Sequence, residues 1–262
     1  MSEGVSCLCL TYGRPSLLEE AVESFLRQTW DGSKELIVLN DHPDQELAFR
    51  HRQVVIVNRK TRLHTLGEKR NLCAELASHE HLIPWDDDDI HLPWRIEETM
   101  RALKNSHFFK CPQVWQTNDG VFENQVQDDD FAYHAASAYS RTIFKRIGGY
   151  HCLNGGEDQE FEADLRRGAD TARHWNIVRL PLERVFYIYR RSHGSYHASG
   201  VEDLREIDPP IMKGTHHLKP HWKIDYRREV SRLISRIRNE QCWPSEENLQ
   251  LAAGYHDAKR AR

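Results

Sequence analysis

Short apolar runs alternate with segments of helical periodicity along the first 90 residues. The runs that predict buried strands are Val5–Thr11, Glu35–Leu39, Val54–Val57 and His81–Trp85. Between them, residues 17–26 and 67–79 place apolar side chains at the spacing of one helix face. Such alternation is typical of βαβ units, in which parallel strands are joined by right-handed crossovers. The pattern therefore predicts an α/β fold with a mostly parallel central sheet flanked by helices.

The pattern changes after residue 90. Helical spacing returns at residues 93–105, 141–147 and 157–167, and strand-like pieces occupy 114–127, 132–139 and 185–189. Asn118-Asp119-Gly120 is a hairpin signal. No strand pattern follows Asp208-Pro209-Pro210, and residues 225–238 form an amphipathic helix. We expect a main domain over 1–205, with halves at 1–90 and 91–205, and a basic helical C-terminal extension over 206–262.

Composition places the chain among soluble globular proteins. It has 262 residues, of which 39% are apolar and 29% charged, enough for one large domain with an appendage. No apolar run is long enough to span a bilayer, and the N-terminus MSEGVSCLCL lacks the pattern of a signal peptide. The six cysteines include no CxxC pair, which favours reduced thiols. We therefore expect a cytoplasmic protein.

The net charge of -4 hides an asymmetry between the body and the C-terminus. Residues 213–262 contain 11 Lys and Arg against 6 Asp and Glu, whereas the rest of the chain contains 25 against 34. A basic segment on an acidic body suits nucleic acid, anionic lipid or phosphate, but it is also the ordinary composition of a solvated helix face. Both interpretations stay open.

Four consecutive carboxylates, Asp86 to Asp89, directly follow the apolar run His81–Trp85. Like charges in a row are costly inside a packed core, so we expect them at the carboxyl end of a strand. In open α/β sheets this edge is where ligands bind. Carboxylate oxygens suit a hard cation such as Mg²⁺ or Mn²⁺, held in part by substrate phosphates. The alternative is a solvated acidic loop.

Four segments in this order resemble family 2 of the GT-A glycosyltransferases, over roughly residues 4 to 200. They are VSCLCLTYGRP, ELIVLNDHP, GEKRNLCAELASHEHLIPWDDDD and GGEDQEFEADLRR. The resemblance implies the GT-A fold and inverting transfer of one sugar from a nucleotide-sugar, with a UDP-sugar expected first. The Gln-x-x-Arg-Trp motif and membrane helices of the processive branch are missing here.

The same resemblance implies a metal site and a nucleotide site. Asp88 is the expected ligand of Mn²⁺ or Mg²⁺, Asp86 contacts the ribose or the metal shell, and Asp89 lies behind them or meets the acceptor. The register within the run is ambiguous, so Asp87 remains a substitute for Asp88. The residues expected near the nucleotide-sugar are Thr11, Tyr12, Arg14, Asp41, Lys69, Arg70, Asp86 and Asp87.

Asp158 matches the position of the family's catalytic base, and Glu157 is expected to orient the acceptor or nearby backbone. A base is needed because the acceptor hydroxyl loses its proton as it attacks the anomeric carbon. A plain helix-capping carboxylate is the alternative. After the last strand, Arg190 and Arg191 are expected to reach the diphosphate. His193 is the expected third metal ligand, with His197 as the second choice.

The acceptor has no matching motif. A soluble saccharide or surface glycan ranks first, and a hydroxymethylated base in DNA, flipped or single-stranded, is a second candidate. A lipid-linked saccharide at a membrane surface is a third, with the Arg-rich helix as a peripheral anchor. Two rival functions remain: nucleotidyl transfer on a related fold, and a non-catalytic module that binds nucleotide-sugar or nucleic acid.

Overall fold

The computed structural model of the chain describes residues 4–118, 120–168, 175–191 and 212–242. The strands are β1 Val5–Thr11, β2 Lys34–Asn40, β3 Gln45–Ala48, β4 Val54–Asn58, β5 His81–Pro84, β6 Ile90–His91, β7 Phe108–Lys110, β8 Gln113–Asn118, β9 Val121–Phe122, β10 Gln127–Asp128, β11 Ser137–Ser140, β12 Trp175–Ile177, β13 Tyr187–Arg191 and β14 Gly214–His217. The α-helices are α1 Pro15–Leu26, α2 Leu66–Leu76, α3 Arg95–Leu103, α4 Arg141–Ile147, α5 Glu157–Gly168 and α6 Tyr226–Cys242. Short 3₁₀ turns occupy His134–Ala136 and Leu182–Arg184.

The central sheet has seven strands in the order β12-β7-β11-β5-β1-β2-β4. Strand β1 runs parallel to both β2 and β5, and β2 runs parallel to β4. Only β11 is antiparallel to its neighbours in this sheet. After β1, the chain adds β2 and β4 on one side of β1, and it then returns to place β5 on the other side. This confirms the predicted α/β fold. The carboxyl ends of the neighbouring strands β1 and β5 form the topological switch point of the sheet.

Apolar side chains cover both faces of the sheet, because successive strand residues point to opposite sides. Cys7 and Cys9 face one layer, to which α1, α3 and α6 contribute, whereas Leu8 faces the layer of α2, α4 and α5. Strands buried on both faces explain why the first runs read as continuous apolar stretches rather than as alternating ones.

A second sheet, in the order β10-β8-β13-β6 with β9 beside β8, lies next to the first. The hairpin predicted near Asn118 is present as the antiparallel pair β8 and β9. The prediction that no strand follows residue 208 was wrong, since β14 pairs in parallel with β3. Both of these strands are short and mostly polar, QELA and GTHH, and therefore give no apolar signal.

Helix α6 is part of the core. Its predicted apolar face is buried, with Val230, Leu233 and Ile234 each less than 8% exposed in the layer of α1 and α3. That face is therefore occupied by protein and not presented to a lipid surface. No helix among the described residues is long and apolar enough to cross a bilayer. The domain boundary at residue 205 stays a prediction.

The start of α2 is fitted against the segment after α4. An ideal Cβ on Gly67 would lie 1.8 Å from the carbonyl oxygen of His151, so only glycine allows this approach. One turn later, the Asn71 amide donates to the Tyr150 carbonyl oxygen at 2.8 Å and accepts from its backbone N–H at 2.7 Å. These contacts fix the direction of the helix that carries Lys69 and Arg70.

We expect Gly67→Ala to destabilise the protein by about 1–3 kcal/mol, because the new methyl group forces α2 away from the His151 backbone. Gly155→Ala is the matched control, since its ideal Cβ meets no atom within 4 Å. It should change the free energy of unfolding by less than about 0.5 kcal/mol. Urea unfolding of both variants measures the difference, and equal costs would contradict the tight fit at Gly67.

Candidate functional site

Polar side chains gather at the carboxyl ends of β1, β2 and β5. Thr11 closes β1, Asp41 follows β2 and the run Asp86–Asp89 follows β5. Because β1 lies between the other two strands in parallel, these ends meet at one edge of the sheet. The residues predicted as a nucleotide and metal site are thus brought together at the switch point.

The four aspartates do not share one environment. Asp87 and Asp89 are 1% and 2% exposed, and Asp89 accepts hydrogen bonds from the Tyr187 hydroxyl and from the Arg190 backbone N–H. The Asp86 side chain is 35% exposed and that of Asp88 is 10% exposed. The run therefore alternates, with Asp86 and Asp88 towards the crevice and Asp87 and Asp89 towards the protein.

Negative charge at the run is only partly balanced. Burial, together with the neighbouring Asp88 carboxylate and against the opposing effect of Arg14, raises the pKa of Asp87 to about 6. Burial and the charges of Asp88 and Asp86 raise the pKa of Asp89 well above its usual range. The pKa of Asp86 is raised by burial, despite the nearby Arg70. Such a site favours an added cation.

The carboxylates fit part of a divalent-cation site. The Asp86 side chain is partly exposed, Asp88 is nearly buried and paired with Arg14 through Oδ2, and one oxygen of Asp87, Oδ2, is buried without a hydrogen-bond partner. Within the described part of the chain, however, no three His, Cys, Asp or Glu side chains are arranged to hold a metal ion. Hard cations are commonly bound by one or two protein carboxylates together with substrate phosphates, so this donor set is compatible with such a site.

Arg14 bridges the two sides of the crevice. It follows β1 and immediately precedes α1, and it forms ion pairs with Asp87 and with Asp88, the latter at 2.9 Å between Nη1 and Oδ2. The neighbouring carboxylates and hydrogen bonding raise the pKa of this guanidinium even though its burial lowers it. Arg14 therefore stays charged and joins the turn after β1 to the acidic turn after β5.

A buried ion pair lies beneath the turn after β1. Lys69 on α2 pairs with Asp41 and donates to the Thr11 carbonyl oxygen at 2.7 Å. The second carboxylate oxygen of Asp41 accepts from the Leu63 backbone N–H at 3.0 Å. Burial lowers the pKa of Lys69, and Asp41 opposes this. Lys69 and Asp41 are thus bonded to each other and to backbone.

Tyr12 lies above this pair and has two neighbours that the sequence interpretation missed. The Arg62 guanidinium is 4.4 Å from the Tyr12 ring centroid, and the His42 ring is 4.7 Å away. These residues follow β4 and β2, so parallel strand ends bring them together. No spacing in the sequence connects them, since the grouping depends on strand order.

The opposite wall is the start of α5. Arg70 donates from Nε to Glu157 at 2.9 Å, and its Nη1 is 4.0 Å from Asp86. Glu157 is 3% exposed and bound in this pair, whereas Asp158 is more open and accepts from the Gln159 backbone N–H. Burial would raise the pKa of Asp158, but His134, Arg70 and backbone N–H groups lower it below its usual value. Asp158 is therefore an ionised, accessible carboxylate at neutral pH.

A buried polar network supports this wall. Glu162, one turn after Asp158, binds Lys110 at 2.8 Å and His134 at 2.9 Å. The other ring nitrogen of His134 is 2.7 Å from the Tyr150 hydroxyl. Sequence patterns did not identify these residues, because they come from separate elements and each type is common in isolation.

The two arginines that we expected after the last strand are instead the last two residues of β13, and they differ. Arg190 is 9% exposed and its guanidinium binds Glu20 and the Asp88 carbonyl oxygen, whereas Arg191 is exposed. The predicted metal ligands His193 and His197 lie outside the described residues. The structure thus places Arg190 beside the acidic turn, but with its guanidinium bonded to protein.

Comparison with known families gives one match: the model described as Glycosyl transferase family 2 matches residues 6–157, more than half of the chain. The matched range contains β1 to β11 and the acidic turn, and it ends at Glu157. A comparison with curated protein sequences finds no match.

Several solved structures are similar. S. aureus TarS 1–349 in complex with UDP-GlcNAc has a TM-score of 0.57 at 13% identity, covering 90% of this chain and 72% of that chain. Its complex with UDP gives 0.55 at 14% identity, covering 72% and 61%. The mannosyltransferase PcManGT from Pyrobaculum calidifontis in complex with GDP-Man and Mn²⁺ gives 0.48 at 14% identity, covering 75% and 58%.

Two further TarS structures match over less of their own length. This chain spans 60% of TarS 1–349 in one of them and 44% of the longer TarS chain in the other. At identities of 12–14%, the similarity to the TarS structures establishes a shared fold.

We expect Lys69→Met to destabilise the protein by about 3–5 kcal/mol, because it leaves the Asp41 carboxylate buried without its cation. Adding Asp41→Asn should recover part of this loss, so the double variant costs less than the sum of the single ones. Lys60→Met is the control: its pair with Glu46 is exposed, and it should cost less than about 0.5 kcal/mol. Urea unfolding of the four variants decides, and additive costs for Lys69 and Asp41 would contradict the coupling.

Proposed function

Since the chain belongs to glycosyltransferase family 2, we propose that it transfers a single sugar from a nucleotide-sugar to an acceptor hydroxyl, with inversion at the anomeric carbon. The observation that carries this proposal is the crevice at the carboxyl ends of β1 and β5. The partly exposed Asp86 and the less exposed Asp88 line one of its walls, and Asp158 lies at the start of α5 on the other. Arg70 lies between the two walls, close to Asp86 and bonded to Glu157.

In this proposal the nucleotide lies over the ends of β1 and β2. Tyr12 offers an aromatic face for the base, and Arg62 and His42 beside it extend the same surface. Asp41 and Lys69 act mainly by holding the Thr11 turn in place, since both are bonded within the protein. UDP-sugars are the first donors to test because TarS, which shares the fold, has been solved with UDP and with UDP-GlcNAc.

Asp88 and Asp86 would hold a divalent cation, Mn²⁺ or Mg²⁺, on the crevice side of the acidic run. When bound, such a cation stabilises the negative charge that develops on the leaving diphosphate. Of the two registers, the burial pattern favours Asp88 over Asp87, because Asp88 is the more exposed of the two carboxylates. Arg14 holds both carboxylates in place and adds positive charge to the same crevice.

Asp158 would act as the base that takes the proton of the acceptor hydroxyl. The acceptor oxygen attacks the anomeric carbon from the side opposite the diphosphate. The bond between that carbon and the diphosphate oxygen breaks and the nucleoside diphosphate leaves, so one displacement inverts the configuration. Glu157 is bound to Arg70 and Glu162 is bound to Lys110 and His134. Both carboxylates are therefore already paired, which supports Asp158 as the base and leaves the others to orient the wall.

Glycans are the acceptors to test first, followed by hydroxymethylated DNA. The burial of the apolar face of α6 argues against that helix as a membrane anchor. Nucleotidyl transfer is less well supported, because Asp158 would have no role in it. A non-catalytic module would bind the donor without turnover, so measured turnover separates it from a transferase.

We expect one class of nucleotide-sugar, with Mn²⁺, to raise the melting temperature by about 5–10 °C at a hundredfold excess over its Kd. UDP-, GDP-, CDP- and dTDP-sugars are each compared with Mn²⁺ and with EDTA. Asp88→Ala should abolish the shift, whereas Asp31→Ala, which removes an exposed carboxylate after α1, should retain it. A folded protein that no donor stabilises would contradict the proposal.

We expect Asp158→Asn to lower the transfer rate at least about 100-fold while the Kd of the donor changes by less than about 2-fold, because the amide cannot accept the proton. Glu160→Gln, an exposed change on the same helix, is the control and should keep the rate. Product analysis by NMR should show the inverted anomer. Retained activity in Asp158→Asn, or a retained configuration, would rule out Asp158 as the base.

A further inference from the structure

Glu20 is a buried carboxylate inside α1, and its side chain is 1% exposed. It accepts from Arg190 Nη1 at 2.7 Å, from the Tyr226 hydroxyl at 2.8 Å and from the Lys223 backbone N–H at 3.1 Å. Tyr226 is the first residue of α6. One carboxylate therefore joins α1, the end of β13 and the start of the C-terminal helix.

Arg190 continues the connection to the acidic turn. Its side chain donates from Nε to the Asp88 carbonyl oxygen, and its backbone N–H donates to the Asp89 carboxylate at 2.7 Å. Asp89 also accepts a hydrogen bond from the hydroxyl of Tyr187, the first residue of the same strand. The backbone of Asp88 and the side chain of Asp89 are thus fixed by β13.

We propose that Arg190 is a positioning residue that holds the turn Asp86–Asp89, and that the C-terminal segment 212–242 supports the donor site through Glu20 and Tyr226. This inference rests on the proposed function and replaces the contact between Arg190 and a diphosphate that the sequence predicts. It also assigns a role to a segment whose purpose the sequence pattern left open.

The guanidinium geometry supports this role. An arginine has a planar fork of donors, and here one edge serves Asp88 and the other serves Glu20. Turning Arg190 towards a donor would leave Glu20 buried with fewer partners, which is costly for a carboxylate. In its present place the guanidinium keeps both partners and fixes the Asp88 backbone, while Nη2 is buried without a hydrogen-bond partner among the described residues.

The segment also contacts the turn after β1. The Met212 backbone N–H donates to the Gly13 carbonyl oxygen at 3.4 Å, and Gln45 donates to the Met212 carbonyl oxygen at 2.6 Å. Further along, Trp222 donates to the Ser24 hydroxyl on α1 at 3.0 Å. The turn after β1 and helix α1 therefore both contact residues after 211.

The test measures the Kd of UDP with Mn²⁺ and the Kd of uridine without a cation in Tyr226→Phe and Glu20→Gln. Tyr226→Phe removes one hydroxyl and keeps the ring, so the fold is retained. We expect UDP binding with Mn²⁺ to weaken about 3-fold to 10-fold in Tyr226→Phe, and by at least as much in Glu20→Gln. Uridine carries neither the diphosphate nor the cation that the acidic turn is proposed to bind, so its Kd should change less than about 2-fold.

Val230→Ala is the matched control. It loosens the packing of α6 but touches neither Glu20 nor Arg190, so it should lower the melting temperature and leave both Kd values unchanged. Arg190→Lys should behave like Glu20→Gln, since a lysine cannot serve both partners. The double variant Glu20→Gln with Arg190→Lys should be no weaker than the worse single variant, because both changes break one connection.

Opposite results overturn the inference. If Arg190 contacts the diphosphate, Glu20→Gln releases it, and UDP binding stays unchanged or becomes tighter while Arg190→Lys weakens it. If the effects of Tyr226→Phe and Val230→Ala on UDP binding match, the segment contributes only general stability.

A readout without ligand separates this inference from the proposed function. Hydrogen exchange of the amides of residues 86–90 should be faster in Tyr226→Phe and Glu20→Gln than in Val230→Ala. If wild-type protein binds no nucleotide, the proposed function fails and the exchange rates alone decide on the connection. Equal exchange in all three variants would reject it.

Discussion

Negative charge accumulates where β5 ends, because four carboxylates follow one another at a crowded edge of the sheet. The fold meets this constraint with arginines from three separate elements. Arg14 comes from the turn after β1, Arg70 from α2 and Arg190 from β13. Arg14 also precedes α1, Arg70 also binds Glu157, and Arg190 also binds Glu20. The elements around the crevice are therefore joined to each other through the acidic turn.

The alternation within the run divides the carboxylates into two kinds. Asp87 and Asp89 turn inward and tie the turn to Arg14, Tyr187 and Arg190. Asp86 is the most exposed of the four, and Asp88, although also paired with Arg14, is more exposed than Asp87 and Asp89. One run of aspartates therefore supplies both the carboxylates that hold the turn and the carboxylates nearer the crevice.

The sequence predicted the features that depend on contiguous residues. Val5–Thr11 and His81–Pro84 appear as strands within the predicted bounds, because a buried parallel strand is a continuous apolar run. The order of motifs likewise indicated the family. The register of the acidic run was ambiguous from sequence, since four identical residues carry no distinguishing signal.

Features that depend on tertiary neighbours were not predictable. Arg62 meets Tyr12, and His134 meets Glu162, only because strand order and helix packing bring them together. Strands β3 and β14 pair with each other across more than 160 residues and have little apolar character. The arginine expected at a diphosphate, Arg190, is bonded instead to Glu20, a residue that reads in sequence as one more helix-surface glutamate.

Under the proposed function, the charges at the acidic turn couple the binding of the cation to the binding of the donor. The guanidinium groups at the turn already serve Asp87, Asp88, Glu157 and Glu20. A diphosphate adds charge of the same sign as the open carboxylates, so a donor that enters alone is repelled. A divalent cation reverses this, and by linkage the donor must raise the affinity for the cation by the same factor. Cation and donor affinities are therefore coupled, and the arginine supports set the strength of that coupling by keeping Asp86 and Asp88 in reach of both.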